Sequence, residues 1–220
     1  MVNRAGSRPT GPALVVLSGS CVGLLFGGIG VGVALGGVMP LPYGPLPPIQ
    51  EYVRDHPVAV QTIAVAMFAS SVPLAGYAAA ASARLRQLGV TGLRPTIALT
   101  GGILAAGSLA LAGLVGWTLT RPEVSGDTAL VRALYILVFL IGGPGHVVAL
   151  GVLVAAMAAA GLTPKPVARI GLAIAALAES ATAVLMWTRL GVILPVARVL
   201  ALGWLVVAGA SLARDDLDAM

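Results

Sequence analysis

Three side chains that could take part in chemistry lie within apolar stretches of the sequence: His146, Glu179 and Arg198. An ionised side chain at the centre of a membrane helix costs about 2.5 to 3.5 kcal/mol on insertion scales, so it needs a partner or a function. Counted from a tight turn at residues 189 and 190, Glu179 lies about ten residues back and Arg198 about eight forward, roughly 12 to 16 Å along each helix. This spacing predicts an ion pair between them.

The predicted ion pair has two interpretations, which the sequence leaves open. As a structural pair, it would only offset the cost of its own desolvation. As a substrate or proton site, it would face a polar path near the midplane of the membrane. In either case the helix around Glu179 carries short side chains at helical spacing, which would bring a neighbouring helix close. These residues are Gly171, Ala175, Ala178 and Thr182.

His146 follows a break in the fourth apolar stretch, where the sequence reads Gly-Gly-Pro-Gly. Pro144 has no N–H and therefore leaves the carbonyl of Leu140 without its usual donor. The imidazole could donate to that carbonyl, and an imidazole also titrates in a range that suits a proton relay. The residues predicted to kink helices are Pro73, Gly143, Pro144 and Gly145.

No motif of a known enzyme or cofactor site occurs in the sequence. Paired carboxylates, Cys/His metal spacing and a phosphate-binding loop are all missing, and the single cysteine, Cys21, allows no intrachain disulfide. Ser108 and His146 could form an intramembrane protease dyad, but the residues around Ser108 do not fit the rhomboid pattern. An enzyme is therefore not favoured, and neither a metal nor a cofactor is predicted.

The composition predicts that lipid surrounds most of the chain. Of the 220 residues, 58% are hydrophobic and only 10% are charged, which is too little charge to cover a soluble globule. The mean hydropathy is +0.99. The net charge of +5 comes from basic residues scattered between apolar blocks, a pattern that does not predict nucleic-acid binding.

The apolar blocks predict an all-α, polytopic transmembrane helix bundle with about six spans. Each block has about 20 residues or more, enough to cross roughly 30 Å of hydrocarbon. The spans are predicted at residues 12–38, 57–82, 95–119, 129–162, 167–187 and 192–213, within a single domain of residues 1–220. The long fourth block is interpreted as one kinked helix, and two re-entrant pieces are the alternative.

The basic residues predict the orientation of the bundle. With the N-terminus inside, eight of them fall on the cytoplasmic side and four on the other, while Arg198 lies within the sixth span. This bias favours both termini in the cytoplasm, N-in and C-in. The membrane itself is expected to be a bacterial cytoplasmic (plasma) membrane. The proline-rich outer loop between the first two spans is predicted to be extended, either as a stiff connector or as a loop that binds a partner.

Glycines at intervals of four form two faces on the first span. They are Gly19, Gly23 and Gly27 on one face, and Gly28, Gly32 and Gly36 on the other. Such faces let helix backbones approach closely, which serves either internal packing or association with another chain. A homo-oligomer and a membrane-protein partner are therefore both left open.

The run from Gly142 to Val148, together with the small-residue spans that carry Glu179 and Arg198, resembles a family of multi-pass membrane proteins of actinobacteria. The resemblance covers roughly the second half of the chain. It implies the architecture of about six spans and carries no activity over to these residues.

Two classes of function remain. The chain could be a small transporter or channel-like protein that uses Glu179, Arg198 and His146 around a buried polar site, and this is the preferred hypothesis. Alternatively, it could be a non-catalytic membrane subunit or scaffold that holds a partner through its glycine faces and the outer proline-rich loop. An intramembrane enzyme comes third.

Overall fold

Six long apolar helices dominate the fold. The computed structural model describes the backbone of residues 11–218 and the side chains of residues 13–212. The helices that are long and apolar enough to cross a membrane are Ala13–Gly36, Pro57–Gln87, Arg94–Thr118, Thr128–Ala158, Lys165–Leu185 and Thr188–Leu212. The prediction of an all-α, multi-pass membrane protein is thereby confirmed, whereas the N-in, C-in orientation stays a prediction.

Shorter elements connect or interrupt these spans. The α-helices are α1 (Gly11–Gly36), α2 (Leu46–Asp55), α3 (Pro57–Gln87), α4 (Arg94–Thr118), α5 (Pro122–Ser125), α6 (Thr128–Leu140), α7 (His146–Ala158), α8 (Lys165–Ser180) and α9 (Ile193–Asp218). A π-helical segment, Ile141–Gly145, joins α6 to α7. Two 3₁₀ segments, Ala181–Leu185 and Thr188–Val192, connect α8 to α9.

Proline and glycine mark where several of the helices begin and end. Pro57 opens α3, since a first-turn residue needs no N–H and the ring presets φ. Gly37 directly follows α1 with a φ of 76°, and Gly89 follows α3 with a φ of 80°. Glycine adopts this left-handed conformation without a steric cost, so it ends the helix.

The spans pack as a closed ring. Along the chain α1 packs on α3, α3 on α4, α4 on α7, α7 on α8 and α8 on α9, and α9 returns to α1. Tyr77 of α3 is fully buried, and its hydroxyl donates to the carbonyl of Leu205 on α9 at 2.9 Å. A hydrogen bond between spans offsets the cost of a phenol in an apolar interior.

The fourth span is one continuous helix in which α6, the π-helical segment and α7 follow one another. It runs from Thr128 to Ala158. Pro144 lies within the π-helical segment, where its missing N–H already disturbs the backbone ladder, and an interruption of this kind is a usual cause of a kink. Two re-entrant pieces, the alternative left open by the sequence, are not seen among these residues.

The proline-rich loop is only partly extended, which corrects the sequence prediction. Its second half is the helix α2, in which Pro47 and Pro48 occupy the first turn. There the missing N–H groups cost nothing, because first-turn donors have no partner within the helix. The apolar face of α2 is buried, and this burial stabilises a helix that the proline count did not predict.

The two glycine faces of α1 have different surroundings. A Cβ on Gly28 or Gly32 would overlap side chains of α3, and a Cβ on Gly36 would lie 2.8 Å from that of Ala59. These glycines therefore pack inside the bundle. The positions Gly19 and Gly23, like Gly27, have no described atom within 4 Å of a Cβ, so this face of α1 points out of the ring.

Candidate functional site

Arg198 reaches from α9 to the π-helical segment of the fourth span. Its guanidinium donates to the carbonyl of Gly142, at the place where the backbone ladder of the helix is disturbed. Side chains commonly insert into the ladder at such points, and π-helical turns occur frequently at functional sites. The Nε of Arg198 is buried and has no hydrogen-bond partner among the residues that the structure describes.

The predicted ion pair between Glu179 and Arg198 is not formed. In the described part of the chain, the one pair of opposite charges within 4.0 Å is Arg54 with Asp55, at 3.1 Å. Glu179 lies on the exposed side of α8, with its Oε1 3.1 Å from the position of a Cβ on Gly151 of α7. Counting residues gave a similar depth for the two charges, but it did not give the direction in which each side chain points.

His146 begins α7 and is fully buried. Its Nδ1 lies 3.0 Å from the carbonyl oxygen of Ala105 on α4, rather than at the carbonyl of Leu140 that the sequence suggested. Because a carbonyl only accepts, Nδ1 carries the hydrogen. The Nε2 has no partner among the described residues.

A cavity of about 240 Å³ lies beside Arg198. Apart from this arginine it is lined by Met67, Val138, Phe139, Gly142, Gly143, Gly191, Leu194 and Pro195. We call it the Arg198 cavity. Its polar groups are the guanidinium and the backbone of the π-helical segment, while its other walls are apolar.

Two further cavities share the wall residue Phe139 with the Arg198 cavity. One of about 280 Å³ extends between α3, α4 and α6, and one of about 540 Å³ extends between residues 41–44 and the Thr188–Val192 turn. Residues of the proline-rich loop line both. The Arg198 cavity therefore adjoins the two cavities at the end of the bundle that carries this loop, which we call the loop end.

The first half of the loop, residues 37–45, is held over these cavities by side chains of α2 and α6. The hydroxyl of Tyr135 donates to the carbonyl of Pro40 at 2.7 Å, and Arg132 donates to that of Gly44 at 2.9 Å. Tyr43 packs edge-on against Phe139 at 5.1 Å between ring centres. These contacts give the carbonyls of a proline-rich segment the donors that it lacks itself.

Burial raises the pKa of the Tyr43 and Tyr52 phenols above their usual range. Both phenols therefore keep their protons at neutral pH. Tyr52 uses its proton to donate to the carbonyl of Gly37 at 3.1 Å, which ties α2 to the end of α1.

Sequence reasoning missed Phe139 and the loop residues of the cavity walls. One signal could have indicated them, because aromatic residues make up only 5% of the chain. Three of these scarce residues, Tyr43, Tyr135 and Phe139, meet around the cavities. No group of three or more His, Cys, Asp or Glu residues that could hold a metal ion occurs in the described part of the chain.

Comparisons with known protein families, with curated proteins and with solved structures gave no match for this chain. Its class is defined by the fold, which is that of a multi-pass integral membrane protein in contact with a lipid bilayer. The candidate site consists of Arg198 on the sixth span, which donates to the π-helical segment of the fourth span beside a largely apolar cavity.

Proposed function

We propose that the protein is a small transporter or channel-like protein whose polar site is Arg198 on the π-helical segment of the fourth span. The observation that carries this proposal is the absence of a carboxylate within 4.0 Å of Arg198 among the described residues. A charge inside the membrane is costly without a counter-charge, so an anionic ligand would stabilise Arg198 further than the carbonyl of Gly142 does alone.

The surroundings of Arg198 support the same proposal. Irregular backbone at membrane depth is tolerated where protein shelters it or where it lines a cavity, and transporters use broken helices of this kind at their binding sites. Gly142 and Gly143 of the π-helical segment line the Arg198 cavity. His146 directly follows the π-helical segment, and its hydrogen bond to the carbonyl of Ala105 fixes the start of α7 against α4.

The orientation and the location belong to the same proposal. With both termini in the cytoplasm of a bacterial cell, the loop end faces away from the cytoplasm, and the two cavities that adjoin the site lie toward that side. Glu179, whose Oε1 lies 3.1 Å from the position of a Cβ on Gly151 of α7, is then a separate polar group rather than part of the Arg198 site. A single transmembrane domain of residues 1–220 is part of this proposal.

Access to the site from both sides of the membrane tests the proposal without a known substrate. Met67 lines the Arg198 cavity and its neighbour, and Cys21 is the only native cysteine. In a Cys21→Ala background, Met67→Cys is expected to react with 2-sulfonatoethyl methanethiosulfonate in right-side-out and also in inverted membrane vesicles. A thiol reacts as its thiolate, which requires water.

Val196 gives the matched control, because it lies on α9 near Arg198 but is 52% exposed on the outer face of the bundle. Val196→Cys should react in neither vesicle preparation, since lipid surrounds it. Labelling of Met67→Cys from one side only would make the cavity a dead-end pocket and would contradict transport. The absence of labelling from both sides would contradict it equally.

A second candidate function, a subunit or scaffold that binds a partner, is favoured by the outward glycine face of α1. Gly23 has no described atom within 4 Å of a Cβ position, whereas Gly32 meets Ile63 of α3. In the same Cys21→Ala background, Gly23→Cys should crosslink to another chain and Gly32→Cys should not. Equal crosslinking at both positions, or none at either, would count against this candidate.

A further inference from the structure

We propose that the Arg198 cavity binds an amphiphilic anion, with the anionic head on the guanidinium and the apolar chain in the cavities beneath residues 37–45. This inference rests on the proposed function, because it assigns a substrate class to the same site. It concerns the chemistry of the ligand, whereas the proposed function concerns access across the membrane.

The charge of the cavity walls determines the charge of the ligand. Arg198 lines the smallest of the three cavities, and Arg189 lines the largest. Among the residues that the structure describes, no aspartate or glutamate lines any of the three. Two cations attract an anion and repel a cation, and both effects are stronger at the partly buried Arg198 than at the exposed Arg189.

The guanidinium has a donor to offer the head group. One of its terminal nitrogens donates to Gly142, and the other is not among the buried nitrogens without a partner, so it is accessible from the cavity. A planar guanidinium binds carboxylates and phosphates through charge-assisted hydrogen bonds. The shared chemistry of the head is therefore a carboxylate or a phosphate ester.

The rest of the walls indicates an apolar chain. The cavity between α3, α4 and α6 is lined by apolar side chains, by backbone and by Tyr135, whose hydroxyl is already bonded to Pro40. A small hydrated anion would find too few donors there to replace its water. An alkyl chain would remove this apolar surface from water or from lipid.

Binding of radiolabelled decanoate to the purified full-length protein tests the inference. The protein is held in phosphatidylcholine nanodiscs, and empty nanodiscs correct for partition into lipid. Arg198→Gln is expected to weaken binding roughly 10- to 100-fold, since it removes a charge-assisted bond. Arg198→Lys keeps the charge and should lose less than Arg198→Gln. The control Arg54→Gln, at an exposed arginine that lines none of the three cavities, should bind like the natural protein.

Competition with unlabelled compounds separates the head from the chain. Decyl phosphate should displace decanoate, whereas decanol, decyltrimethylammonium and butyrate should each be at least about tenfold weaker, because each lacks either the anionic head or the chain. Nanodiscs that contain phosphatidylglycerol show the source of the ligand. Loss of decanoate binding there indicates a bilayer lipid, and retained binding indicates a free amphiphile.

Three results would overturn the inference: unchanged decanoate binding by Arg198→Gln, displacement by decyltrimethylammonium as strong as by decyl phosphate, or butyrate as effective as decyl phosphate. An unaltered circular dichroism spectrum and elution volume must accompany each variant, and Arg198→Lys provides a second comparison if Arg198→Gln does not fold. Decanoate binding without labelling from both sides would leave this inference standing and remove transport. Labelling from both sides without decanoate binding would do the reverse.

Discussion

Replacing Gly113 by alanine is expected to destabilise the bundle by about 1 to 3 kcal/mol, the usual cost of overpacking a tight interface. A Cβ at Gly113 on α4 would lie 2.6 Å from the carbonyl oxygen of Ala64 and 2.8 Å from the backbone nitrogen of Phe68 on α3. Backbone atoms cannot rotate away as a side chain can. The two helices would therefore have to separate, which disturbs the packing between them.

Gly107→Ala on the same helix provides the matched control. No described atom lies within 4 Å of a Cβ at Gly107, so this change should leave the stability of the bundle the same or slightly higher, given the better helix propensity of alanine. The free energy of unfolding is measured for both variants by reversible unfolding in mixed micelles. Equal effects of the two changes would show that α3 and α4 do not approach each other as closely as described.

The spans could be predicted from the sequence because the bilayer imposes a simple constraint. Every backbone polar group in hydrocarbon must find a partner within its own segment, so an apolar stretch of sufficient length forms a helix. Pro57 at the start of α3 and Gly37 just after α1 then mark boundaries that the local chemistry sets. The interruption of the fourth span at Pro144 could be predicted in the same way, because the sequence shows that proline has no N–H.

The partners of the buried polar groups could not be predicted, because they depend on how each helix is rotated. Glu179 and Arg198 were matched by depth, yet Glu179 packs on α7 and Arg198 on the π-helical segment. The 3₁₀ segment Ala181–Leu185 contributes to this outcome, since three residues per turn instead of 3.6 change the rotation along the span. A residue count alone contains no information on that rotation.

The contacts of His146 and the formation of α2 could not be predicted from the sequence either. The imidazole bonds to Ala105, which is 41 residues away in sequence, and a contact over such a separation leaves no local pattern. The helix α2 forms because burial of its apolar face outweighs the extended preference of a proline-rich stretch. The cavities likewise arise from side chains of several spans and the loop, so only the scarcity of aromatic residues hinted at them.

Arg198→Glu is expected to cost at least about 2 kcal/mol of stability. The change replaces a donor by a carboxylate opposite the carbonyl of Gly142, so two acceptors meet without a hydrogen between them. The change also reverses the charge of a side chain that has no described carboxylate within 4.0 Å. Arg198→Lys should cost less, because it keeps both the charge and a donor.

The central claim of this account is that Arg198 has no carboxylate partner among the described residues and is therefore available to a ligand. A charge swap that combines Arg198→Glu with Glu179→Arg tests this claim most directly, with the free energy of unfolding measured for both single variants and for the double variant. We predict that the two effects add to within about 0.5 kcal/mol, as they do for residues that are not in contact. A double variant that recovers more than about 1 kcal/mol relative to the sum of the single effects would show that the two charges are paired, and would contradict the account.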